Sequence, residues 1–100
     1  IDINYISKLC CKANSMWKFH ITHVTGNFKS TYKPNWTLSI NNTRKLVIIL
    51  ALNDDSTLDL HRETSRKITM TKNQLYIFPS YLLYKCHNVA IFYAVGDSFR

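Results

Sequence analysis

Leu46-Val47-Ile48-Ile49-Leu50-Ala51-Leu52 is an unbroken apolar run in this 100-residue chain, and three β-branched residues stand in succession within it. A bilayer takes about 20 apolar residues in a helix, so the run is far too short to cross one. It ends at Asn53-Asp54-Asp55-Ser56, a cluster that breaks secondary structure. A short, unbroken apolar run of this kind reads as a central strand covered on both faces.

Outward from that strand the pattern is one of short strands separated by turn residues, expected over 57–60, 67–70, 75–78, 83–87 and 89–95. Upstream, Ile3, Ile6, Leu9, Cys10 and Ala13 recur at helical spacing, which predicts a helix over 3–16 with Asp2 as its cap. From Trp17 the period changes to two, since Trp17, Phe19, Ile21 and His23 alternate with polar residues. That alternation predicts a half-buried strand, followed by a turn at Gly26-Asn27. Further short strands are expected at 28–32, ending before Pro34, and at 36–40, with Asn41-Asn42 turning the chain. The whole reads as a mainly β fold, one sandwich or barrel domain over 1–100 with a helix packed outside it.

Composition narrows the function classes. A hydrophobic fraction of 46% excludes a disordered chain. Thirteen Lys and Arg against six Asp and Glu give a formal charge of +7, which suits nucleic acid, an anionic surface or acidic protein neighbours. The three cysteines, Cys10, Cys11 and Cys86, cannot all pair within one chain and form no C-x-x-C motif. Reduced thiols in a cytoplasmic or virion setting are therefore expected. No signal peptide is visible, and the start at Ile1 fits a piece of a longer product. Asn35-Trp36-Thr37 and Asn41-Asn42-Thr43 match the glycosylation triplet, which arises easily in Asn- and Thr-rich sequence.

Candidate chemistry is sparse. No serine stands in a nucleophile elbow, and both glycines are isolated, so no phosphate loop is present. Asp59-Leu60-His61 is the one carboxylate–imidazole pair with metal-like spacing, with His20 or His87 as further ligands if a metal enzyme survives here. His20 and His23, three apart on a strand, would face opposite ways. Lysines mix with aromatics at Lys18-Phe19, at 29–33 and at Tyr84-Lys85, the composition of a nucleic-acid face with stacking platforms.

A longer pattern lies over these pieces. Trp36-Thr37-Leu38-Ser39, Arg44-Lys45-Leu46, Leu52-Asn53-Asp54 and Leu75-Tyr76-Ile77-Phe78-Pro79-Ser80-Tyr81-Leu82-Leu83-Tyr84 follow one another in that order. Ala13-Asn14 and Trp17-Lys18-Phe19 precede them, and Tyr93-Ala94-Val95-Gly96-Asp97-Ser98-Phe99-Arg100 closes the chain. The series resembles the Fe(II)/2-oxoglutarate dioxygenases of the prolyl-hydroxylase type, most closely the short phage and marine-bacterial members. The resemblance implies a jelly-roll-like double-stranded β-helix.

It also implies that the chemistry is lost. The family holds iron with two His and one carboxylate. By the resemblance Thr37 stands at the first His, Ser39 at the carboxylate and Tyr84 at the distal His. The family's arginine clamp for 2-oxoglutarate has no counterpart in Cys86-His87-Asn88-Val89-Ala90-Ile91-Phe92-Tyr93. Hydroxyls and a phenol are poor substitutes for imidazole and carboxylate at Fe(II). The resemblance thus implies a pseudoenzyme with no cofactor and no metal, reused as a structural or interaction subunit of a phage or viral particle or another large assembly. Trp36, Tyr84 and Tyr93 are expected to line any remnant pocket. Lys18, Lys29, Lys33, Arg44, Lys45, Arg66, Lys67 and Lys85 are the expected contacts to an anionic partner. The alternatives are a basic nucleic-acid-binding module and a divergent metal-dependent hydroxylase.

Overall fold

In the computed structural model, which describes residues 2–39 and 43–97, one helix packs on one antiparallel sheet of six strands. The strands are β1 (His23–Leu38), β2 (Arg44–Ala51), β3 (Thr57–His61), β4 (Ser65–Thr69), β5 (Leu75–Pro79) and β6 (Leu83–Val95), and the helix α1 is Ile3–Ala13. Ile40, Asn41, Asn42 and the closing Ser98-Phe99-Arg100 lie outside the described residues. So does the expected turn at Asn41-Asn42.

The sheet is organised by β6. One of its edges pairs with β1 along the whole strand, from His23 opposite Val95 to Leu38 opposite Leu83. Its other edge is divided, with β3 beside 83–87 and β2 beside 89–95. β4 continues the first branch and β5 the second.

Asn88 stands at the division with φ +60°, a left-handed conformation that Asn tolerates better than most residues. The extra residue shifts the phase of alternation. Tyr84 and Cys86 point into the same core as Val89 and Ile91, an odd–even switch that a regular strand does not make. The strands expected at 83–87 and 89–95 are therefore one bent strand.

β2 fulfils its expectation. Val47, Ile49 and Ala51 join Leu58, Met70, Phe78, Tyr84, Val89 and Ile91 on one side of the sheet. Leu46, Ile48 and Leu50 meet Ile6 and Cys10 of α1 on the other, together with Ala90, Phe92 and Ala94. An unbroken apolar run is what a strand between two cores requires. The helix begins as expected, with the Asp2 carboxylate accepting from the Tyr5 amide at 2.8 Å, a standard N-cap. It stops at Ala13 rather than Met16.

Residues 17–22 correct the sequence reading, since they form no strand. The Asn14 amide donates to the Phe19 carbonyl at 2.8 Å and its Oδ1 accepts from the Phe19 N–H at 3.1 Å. Those bonds satisfy the backbone groups a ladder would have used, and Lys18 turns the chain at φ +57°. Trp17, Phe19 and Ile21 still pack toward α1's core. The alternation thus identified inward side chains without a sheet.

The expected turn at Gly26-Asn27 and the break at Pro34 are also corrected, because one strand runs through both. A Cβ on Gly26 would stand 2.6 Å from the Ile91 carbonyl oxygen and the Phe92 Cα, so glycine serves close strand approach there. Pro34 is tolerated because, among the described residues, β1 pairs with β6 alone and its other edge needs no N–H there.

Candidate functional site

The two branches of the sheet differ in what covers them. Beside β2 the outer face lies under α1. Beside β3, Leu58 and Leu60 point into the core, and the intervening Asp59 and His61 rise from the opposite face together with Lys85 and His87 of β6. Register fixes their neighbours: Asp59 lies between Lys85 of β6 and Lys67 of β4, each its direct cross-strand partner.

β1 adds aromatic walls to this face. Tyr32 meets the His87 ring edge-on at 5.0 Å. Trp36 lies 5.5 Å from the His61 ring and 4.4 Å beneath the Lys85 ammonium, a cation–π contact. Tyr32 is 64% exposed and Trp36 37%. Large aromatics left this open on one strand call for a partner more than a scattered apolar residue does.

Two adjoining cavities open here. One of about 310 Å³ is lined by Trp36, Asp59, Ser65, Arg66, Lys67 and Lys85. The other, about 180 Å³, lies among Tyr32, Lys33, Asp59, Lys85 and His87. Asp59 and Lys85 wall both. The Asp59 Oδ1 atom is buried and accepts no hydrogen bond. A buried acceptor left unpaired costs on the order of 1–3 kcal/mol.

A larger cavity, about 560 Å³, lies between β5 and the tip of the β3–β4 hairpin. Arg62, Glu63, Thr64 and Arg66 rim it over Leu60, Tyr76 and Leu82. Its charged rim is exposed, and among the described residues no orphaned polar atom points to a ligand there. The smaller pair carries the more specific chemistry.

Of the expected anion contacts, Lys33, Arg66, Lys67 and Lys85 line these two cavities. Lys45 corrects its expectation, because its side chain is buried at 4% exposure where β2 bulges against β6. Arg44 stacks its guanidinium 4.1 Å over the Tyr93 ring. Lys29 lies on exposed β1 and Lys18 in the turn after α1.

The expected remnant pocket divides. Tyr84 is in the core with Tyr93 packed against that core, while Trp36 lies on the outer face. Strand alternation separates them, since Lys85 beside Trp36 neighbours Tyr84 in sequence.

Of the three positions matched to iron ligands, Ser39 and Tyr84 share a side-chain hydrogen bond, while the Thr37 hydroxyl bonds locally. Thr37 is the register partner of Tyr84, and the Ser39 hydroxyl donates to the Tyr84 phenol oxygen at 2.7 Å inside the protein. The Thr37 hydroxyl donates to the Asn35 carbonyl at 3.0 Å. Burial, aided by nearby Tyr93, holds the Tyr84 phenol well above the usual tyrosine range although the Ser39 bond lowers it. A neutral phenol bonded to a serine does not fit a site for Fe(II).

Asp59 and His61 share a face as expected, but the His61 Nδ1 lies 3.3 Å from the Ser65 hydroxyl and His20 pairs with Asp97 at 2.9 Å. Among the described residues no three His, Cys, Asp or Glu side chains gather as a metal site. No described helix is long and apolar enough to cross a membrane. No family model, curated protein or solved structure matches the chain.

The unpaired oxygen of Asp59 and the gathering of Trp36 over Lys85 were not legible beforehand. Asp59 and Lys85 lie 26 positions apart (85 − 59), and only β3–β6 register joins them. The available signal was the alternation Thr57-Leu58-Asp59-Leu60-His61, which places the three polar residues on one face.

Proposed function

We propose that this protein is a non-catalytic interaction module whose outer β1–β6–β3–β4 face binds single-stranded nucleic acid. One observation carries the reading: exposed Tyr32 and Trp36 stand on one strand beside Lys33, Lys67 and Lys85, around two adjoining cavities. Single strands are held by aromatic platforms for the bases and cations for the backbone. Tyr32 and Trp36 supply the platforms. A base entering at Trp36 displaces the Lys85 ammonium from the indole toward a phosphate. The charge of +7 attracts the ligand from a distance.

The test is anisotropy of a labelled single-stranded oligonucleotide, titrated with the protein at several salt concentrations. Log affinity should fall linearly with log salt, by about 0.7 per phosphate neutralised. Trp36→Ala and Tyr32→Ala should each weaken binding by about 1–3 kcal/mol. Affinity that is unchanged between about 50 and 200 mM salt would overturn the reading.

A second reading, a subunit of a virion or other large assembly built on a degenerate double-stranded β-helix, draws on Phe28 and Leu38. Both are about half exposed and lie on β1 with Tyr32 and Trp36. Size-exclusion chromatography with light scattering across protein concentration tests self-assembly. The absence of catalysis is tested by thermal unfolding with Mn(II) and 2-oxoglutarate. A shift on the order of 10 °C requiring both ligands would restore a hydroxylase. An unmoved transition supports the pseudoenzyme.

A further inference from the structure

The two branches of the sheet end in strands that do not pair. β4 closes one branch and β5 the other, and among the described residues no ladder joins them. Yet Leu60 of β3 and Phe78 of β5 share one core, and Arg66 of β4 and Tyr76 of β5 line one cavity. The branches thus face each other across a gap, and the cavity of about 560 Å³ occupies it. Its floor is apolar, since Leu60 belongs to the main core and Tyr76 and Leu82 pack against it. At its rim Arg62 and Arg66 set two guanidiniums against the single carboxylate of Glu63. Among the described residues neither arginine has an ion-pair partner, and the Tyr76 hydroxyl has no hydrogen-bond partner. Both arginines are exposed, so an arriving group can reach them.

We propose that this cavity binds an amphipathic carboxylate, an acyl chain or comparable apolar body that ends in one anionic group. Ligand sites commonly have about 300–1,000 Å³ of mostly apolar space with a few polar groups that fix orientation. The apolar body lies on Leu60, Tyr76 and Leu82, where it releases water from apolar surface. The carboxylate stays at the rim, where a guanidinium can hold both of its oxygens. A small hydrophilic anion gains nothing from the floor, and a neutral apolar molecule gains nothing from the arginines. The site is separate from the nucleic-acid face, with Arg66 alone lining a cavity of each.

The experiment follows the amide NMR shifts of the isotope-labelled protein during titration with octanoate, 1-octanol or acetate. Octanoate should move the amides of residues 60–66, 76 and 82 saturably, with a Kd on the order of 1 mM for so small a ligand. At equal concentration 1-octanol should shift the same amides less, its affinity roughly tenfold lower without a charge-assisted contact. Acetate should shift none of them saturably. Arg62→Gln should weaken octanoate about three- to fivefold, the scale of an exposed charge pair, and leave 1-octanol unaffected. The three probes are compared on the unaltered protein, so the test does not depend on how Arg62→Gln folds. Equal affinity for octanoate and 1-octanol, or for octanoate and acetate, overturns the proposal. So do saturable shifts confined to α1 or to the Trp36 face, and so does an octanoate affinity that Arg62→Gln leaves unchanged. Octanoate shifts that do not saturate by about 10 mM overturn it as well. Each of these outcomes leaves oligonucleotide binding, which is measured by itself, standing.

Discussion

The two halves of β6 share one backbone and have opposite surroundings. After Asn88, alongside β2 and β5, residues are buried on both faces between the main core and α1. Before Asn88, alongside β3 and β4, the inner face is core and the outer face carries Lys85 and His87 beside Asp59, Tyr32 and Trp36. Polar groups of this kind are tolerated only where one face of the sheet stays open. The first half is positioned for stability and the second for contact. Four changes break or sharpen that division.

The largest effect is expected under the helix. Ile48→Ala should cost about 2–5 kcal/mol in urea unfolding, because the side chain is fully buried against α1's core. Lys85→Ala, on the open face of the neighbouring strand, should stay within about 0.5 kcal/mol. Comparable losses at both positions would erase the distinction.

Asn88→Ala should cost about 1–3 kcal/mol, since it forces a left-handed conformation on a residue that resists it. The same change removes the side-chain bonds that Ser30 donates to Asn88 and that Asn88 donates to Asp55, at 3.0 and 3.2 Å. Asn88→Gly should relieve the backbone strain alone and recover part of the loss. If Ala and Gly behave alike, the strain is not what holds the junction.

Ser39→Ala should cost about 1–3 kcal/mol by removing the partner of the buried Tyr84 hydroxyl. Coupling it with Tyr84→Phe should cost less than the sum of the two single changes, which a double-mutant cycle measures. Simple additivity would mean that the bond contributes nothing.

The smallest effect is set by pH. Burial lifts the Cys10 thiol from the ordinary 9.0 to about 11, with adjacent Cys11 adding to the shift. Burial likewise lifts Cys86 to about 11, against a smaller opposing pull from Lys33. The folded thiols keep their protons where those of the unfolded chain lose them. Their contribution is therefore complete below about pH 9 and fades as pH rises toward 11. Alkylation of the folded protein near pH 8 should modify Cys11, which is exposed, and spare Cys10 and Cys86.

How much of this was legible follows from where each signal resides. β2 could be read because two cores leave no room for polar residues from Leu46 to Ala51. The helix could be read from Ile6 and Cys10 at i, i+4 and from the Asp2 cap. The outline of β1 could not. Its burial is shallow, so alternation is weak, and Gly26 and Pro34 carry turn chemistry that this edge strand uses for close approach and for an unpaired N–H. β6 was readable in halves, since the apolar phase changes at Asn88. The candidate face was legible as Asp59, His61 and Lys85 taken singly. That one aspartate lies between two lysines beside Trp36 depends on register, which a periodicity does not contain.

The register of β1 also has a consequence in time. His23 pairs with Val95, so β1 leaves the ribosome long before the strand that receives it. Closing so long a loop slows folding, and until then Phe28, Tyr32 and Trp36 stand on an unpaired strand, the circumstance in which nascent chains aggregate. Lys29, Lys33 and Pro34, interspersed among those aromatics, are the residues that discourage strand-to-strand association. The same charges proposed to hold a ligand in the finished protein thus guard the strand while it waits for its partner.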